Sequence, residues 1–89
     1  GRTKILGGSP EKARLHFERN LELNQRKFLL TQLIYAKTYA IQLQDKKLFE
    51  KLLKEVLEAP LNALPEQHLA NGVAKRKAKD LLGMIDELF

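Results

Sequence analysis

Residues 28–44 read FLLTQLIYAKTYAIQLQ, from Phe28 to Gln44, with Lys37 as the one charge and no Gly or Pro. Wound at 100° per residue, Tyr35, Phe28, Tyr39, Leu43, Ala36, Leu29, Ala40 and Leu33 run round one side. Leu30, Ile41 and Ile34 carry the apolar surface onto the other. A helix that is apolar nearly all round is buried from several directions. Thr31, Gln32, Lys37, Thr38 and Gln42 interrupt the stretch, which is also too short for a membrane span. It reads as a central helix between neighbours, some of which need not belong to this chain.

The flanks read as helices too. Ser9-Pro10-Glu11 gives a hydroxyl N-cap, a proline at the first helical position and an acid against the helix dipole. That first helix runs to about Leu23 with Ala13, Phe17 and Leu21 as its stripe, and Asn24-Gln25 breaks it before the central helix. Asp45 is the candidate N-cap of a third helix that reaches about Glu58 and is stopped by Pro60. Leu48, Phe49, Leu52, Leu53, Val56 and Leu57 form its apolar side, opposite the pairs Glu50–Lys54, Lys51–Glu55 and Lys54–Glu58. After the connector 61–64, Pro65-Glu66 opens a last helix expected to run unbroken to Leu88. Its apolar arc takes in Leu69, Val73, Ala74, Ala78, Leu81, Leu82, Met84, Ile85 and Leu88, with Gly72 and Gly83 on the polar side.

Composition agrees. In 89 residues Val occurs at positions 56 and 73 alone, whereas Leu, Lys, Glu, Ala and Gln abound, which favours helix over strand. The expected fold is all-α, about four helices in antiparallel hairpins. Residues 1–8 read as a tail or turn and 9–89 as one helical domain. With no Cys there is no disulfide, thiol chemistry or cysteine metal site. The net charge of +5 permits an anionic partner without requiring one. Gly1 in place of Met is read as a processed or cut start.

Ala13-x3-Phe17-x2-Asn20-Leu21-x-Leu23 sits close to the second-helix pattern of a tetratricopeptide unit, with Asn20 where a small apolar residue is usual. Residues 28–60 have that unit's length and terminal proline but lack its first-helix signature. The expected architecture is therefore a tetratricopeptide-like α-solenoid fragment beginning halfway through a repeat. Three segments in order carry a more specific resemblance: GGSPEKARLHFERNLEL (7–23), FLLTQLIYAKTYAIQLQDKKLFEKLLKEVLEAP (28–60) and LANGVAKRKAKDLLGMIDELF (69–89). Together they resemble the C-terminal part of the TatT family, the T-components of TRAP (tripartite ATP-independent periplasmic) transporters. The resemblance implies an all-α periplasmic protein, often a lipoprotein, that partners the solute-binding subunit. The family's lipid-attachment cysteine and earlier repeats are absent from these 89 residues, so a membrane anchor would lie in an N-terminal segment outside them.

Several residues stand out within this frame. Lys37, Lys77 and Asn20 place polar groups on otherwise apolar faces. Each either snorkels or finds a local hydrogen bond, or else lines a cavity or an interface. Tyr35 and Tyr39, one turn apart, form either core or the gripping aromatics of a concave surface. Lys75, Arg76 and Lys79 face solvent on the helical wheel while Lys77 falls inside the apolar arc. A solvated face, a partner patch and a phosphate-binding helix are the readings of that run, though no aromatics interleave to stack bases. His16 and His68 lack a partner at helical spacing and read as surface or boundary residues.

No nucleophile–base pair, metal cluster, carboxylate dyad or phosphate loop can be assembled from the sequence, so neither an enzyme nor a cofactor is expected. The functional expectation is a non-enzymatic helical interaction module. By resemblance it docks the TRAP solute-binding subunit or shelters an apolar solute. The alternative is a basic nucleic-acid-binding helix at Lys75–Lys79. Self-association is a further expectation, because Phe28–Gln44 and the stripe of the first helix offer more apolar surface than four helices cover.

Overall fold

Ser9 starts the first helix, α1 (Pro10–Leu23): its side chain accepts a hydrogen bond from the Lys12 amide at 3.1 Å, behind Pro10 and Glu11. The structure is a computed structural model and describes residues 9–60 and 65–89. The expected tail 1–8 and connector 61–64 lie outside the described residues. Ala13, Phe17 and Leu21 are the buried positions of α1, as the spacing predicts.

The central helix forms where expected and is not uniform. An α-helical part, α2 (Leu29–Tyr35), continues into a π-helical turn at Ala36–Ala40, closed by the Ile41 amide on the Ala36 carbonyl five residues back. A straight helix was the expectation, and Thr38 helps explain the difference. Its hydroxyl donates to the Ile34 carbonyl at 2.7 Å and competes with the backbone for that acceptor. Leu29, Leu33, Tyr35, Ala36, Tyr39 and Ala40 are buried, but Ile34 and Leu43 are exposed. The helix is thus covered on most sides rather than all.

Asp45 caps α3 (Lys46–Glu58) by accepting from the Leu48 amide at 3.1 Å. Phe49, Leu52, Leu53 and Val56 are its buried face, whereas Leu57, expected in that stripe, is exposed. Gln44, with φ of 55°, makes the sharp bend that lets α3 fold back against α2 and its π turn.

The last stretch departs most from expectation. It opens as a 3-10 turn at Pro65–Gln67, becomes α4 (His68–Gly83), and breaks at Met84 before a short α5 (Ile85–Leu88). Gly83 is a weak helix former, and Met84 leaves the helical region at φ −105°, ψ 12°. The break turns the C-terminus inward. Phe89 meets the ring of Phe49 edge-on at 4.9 Å, and the Gln44 side-chain amide donates to the Leu88 carbonyl at 3.2 Å.

The buried positions of α4 are Asn71, Ala74 and Ala78 rather than its large aliphatic residues. Small side chains allow a close approach, and α4 lies against both α2 and α3. α1 covers another side of α2 and the π turn. There Tyr35 stacks on Phe17 with centroids 4.7 Å apart and meets Tyr39 edge-on at 5.5 Å. α2 is the hub.

Candidate functional site

Gln25 and Arg26, in the turn between α1 and α2, both adopt left-handed backbone conformations, at φ 56° and 60°. Non-glycine residues pay roughly 1–2 kcal/mol each for that geometry, so other groups must hold it. Three helices do. Glu55 of α3 takes a bidentate pair from Arg26, Nε to Oε2 and the terminal nitrogen to Oε1, both at 2.7 Å. Gln32 of α2 donates to the Arg26 carbonyl at 3.1 Å and to Glu55 at 3.0 Å. Asn71 of α4, fully buried, accepts from the Leu29 amide at 2.9 Å and donates to the Lys27 carbonyl at 3.1 Å. Phe28, the N-cap of α2, gives no side-chain bond, and Asn71 caps that helix from 42 residues away.

The expected Lys51–Glu55 pair gives way to this one, because the guanidinium offers two aligned donors. Burial pushes the Glu55 carboxyl up, but the bonds from Arg26 and Gln32 outweigh it and hold it below its ordinary value of 4.5. The carboxylate therefore contributes stability above the unfolded value of about 4.5 and loses it as pH falls through the lower folded one. Urea midpoints should fall more steeply in the wild type than in Glu55→Gln as the pH drops below the unfolded value of about 4.5. Parallel curves would show that Glu55 is not a linked group.

Lys75 corrects a second expectation. It is not a solvated member of the basic run. Its ammonium donates to the carbonyls of Val56 at 2.7 Å, Leu57 at 3.1 Å and also Ala59, closing the C-terminal end of α3. Burial lowers its pKa from the ordinary lysine value. Lys75→Met keeps the apolar stem and removes the donors, so it should cost about 1–2 kcal/mol in chemical denaturation. A loss within error would mean that water caps α3 equally well.

The remaining candidates divide cleanly. Tyr35 and Tyr39 are core, at 0% and 8% exposure, and do not form a gripping surface. The Tyr35 hydroxyl donates to Glu18 at 2.7 Å, and burial followed by that bond pushes the phenol well up. Asn20 and Lys37 are exposed and line no interior space. Lys77 is exposed as well, so its place in the apolar arc was an error of face. His16 and His68 are exposed, and no group of three or more metal-ligating residues occurs among the described residues.

The error of face has a consequence on the outside of α4. Leu69 is 81% exposed and Val73 45%, although the wheel had put both in the core. Their mean direction lies about 140° round the helix from that of Ala74 and Ala78, at about 100° per residue. With Gly72, Arg76, Lys77 and His68 they line an open groove of about 410 Å³. This is the candidate functional site. It has no chemistry of bond making; it offers two apolar side chains, a residue without a side chain, and cations at its edge. The sequence signal for it was Gly72 on the same stripe as Leu69, Val73 and Arg76.

Helices on every side of one core, and no strand among the described residues, make this an all-α protein. No helix among them is long and apolar enough to cross a membrane. The family model of the TRAP transporter T-component matches residues 1–89, the whole chain, and the chain belongs to that family. The family supports an accessory role in a transporter. A comparison with curated proteins gave no match.

Proposed function

We propose that residues 9–89 form one helical contact module of a TRAP T-component, which docks the solute-binding subunit of the same transporter. The family match supports the transporter setting. The observation that carries the contact reading is the pair Leu69 and Val73, held outside a core that closes without them. Large exposed aliphatic residues on one stripe beside cations suit a protein surface better than solvent. Docking is favoured over sheltering an apolar solute, because Tyr35 is stacked on Phe17 and Tyr39 meets Tyr35 edge-on, so both rings are spent on the core. Nucleic acid is disfavoured by the engagement of Lys75 with α3. Periplasmic placement, a lipoprotein anchor upstream and a tetratricopeptide-like α-solenoid architecture follow the family resemblance and belong to this proposal.

Sedimentation velocity of the chain alone and mixed with the transporter's solute-binding subunit tests the reading. A heavier boundary containing both proteins is expected. Two independent boundaries at concentrations of about 100 μM would overturn it, since transient docking falls in the micromolar range. The chain alone also reports self-association in the same experiment.

A further inference from the structure

We propose that the outer face of α4 is the docking site, and that its occupant is an acidic segment of a partner protein that projects an apolar side chain between carboxylates. The proposal rests on the docking reading above and adds the surface and the partner's chemistry. Leu69, Gly72, Val73 and Arg76 fall on one stripe, with Lys77 and His68 on its flanks. Gly72 presents no side chain, so a notch lies between Leu69 and Arg76 one turn away. An apolar anchor seated there would bury Leu69 and Val73. Carboxylates beside it would meet Arg76 and Lys77.

Among the described residues those cations meet no carboxylate. The ion pair within 4.0 Å among the described residues is Arg26–Glu55, which involves neither of them. Arg76 and Lys77 are exposed, and Lys79 adds a third cation on the neighbouring side. Asp80 follows Arg76 by one turn without closing a pair with it. Charge complementarity therefore specifies an acidic occupant.

Two other occupants fit less well. A second copy would have to offer an acidic apolar face, but the outer face of α1 around Leu15 alternates Glu11, Arg14, Glu18 and Arg19. A membrane surface asks for a broad apolar face on an interfacial helix, whereas this one is a concave notch flanked by two aliphatic residues.

The test maps amide chemical shifts of the isotopically labelled chain during titration with two synthetic peptides. One alternates glutamate and leucine around a central phenylalanine; its twin carries lysine in place of glutamate. The solute-binding subunit is titrated in parallel against the wild type and against Arg76→Glu/Lys77→Glu, both exposed positions. Shifts confined to 68–79, affinity for the acidic peptide roughly tenfold above its twin, and a similar loss in the double variant are expected. Absent shifts, shifts elsewhere, or equal affinity for both peptides would overturn the proposal. So would α4 shifts produced by anionic phospholipid vesicles without peptide, or by concentrating the chain alone. Binding of the subunit that survives the double variant overturns the site but keeps the docking function. Peptide binding at α4 with no subunit binding keeps the site and overturns the function.

Discussion

Tyr35→Ala should cost about 3–5 kcal/mol of folding free energy, the range for deleting a buried aromatic ring. For a chain of this size that is a large share of the stability, and the variant should unfold at a much lower urea concentration. The reason is the position of the ring. Tyr35 is fully buried, stacks at 9° on Phe17 of α1, and meets Tyr39 of the π turn edge-on. Removing it opens a cavity where α1 joins the central helix, and α1 has few other contacts to hold it. Tyr35→Phe keeps the ring and loses only the bond to Glu18, at about 1 kcal/mol. Urea unfolding followed by circular dichroism separates the two. Equal costs would mean that the hydroxyl, not the stacking, binds α1 to the rest.

Asn71→Ala should cost about 2–4 kcal/mol, enough to lower the melting temperature by roughly 10 °C or more. Asn71 is fully buried and satisfies two backbone groups at once, the Leu29 amide and the Lys27 carbonyl. Alanine leaves both without that partner in a place water reaches poorly, and each buried orphan costs about 1–3 kcal/mol. The effect should also be local. Amide exchange at 27–29 should accelerate before that of α3, because the same turn holds the left-handed Gln25 and Arg26. A variant that melts like the wild type would show that α2 needs no cap from α4.

These two residues mark what the sequence could and could not disclose. Tyr35 lies in a stretch whose apolar density forces burial, and Ser9, Asp45 and Pro60 act within a few residues of themselves, so the all-α class and the bounds of α1 and α3 were legible, whereas the break at Met84 makes five α-helices of the four expected. Asn71, Glu55 and Lys75 act across 16 to 44 residues, and no local spacing encodes such partners. The π turn was hidden because Thr38 looks like any polar helix residue until its hydroxyl is seen on Ile34. The face of α4 was misread for a packing reason. Apolar counting ranks Leu69 and Val73 above Ala74 and Ala78, whereas a helix wedged against two neighbours selects its smallest side chains. Correcting that one rotation moved Lys77 to the surface and produced the groove. It also took Lys75 out of the basic patch, leaving Arg76 and Lys79 of the original trio exposed.

Hydrogen–deuterium exchange of the chain with and without the transporter's solute-binding subunit tests the central claim most directly. Backbone amides of α4 exchange through local opening, so a partner seated on its outer face should slow them. The account predicts added protection within 68–79 and little change along α1. Protection confined to α1, or none at saturating subunit, would contradict it.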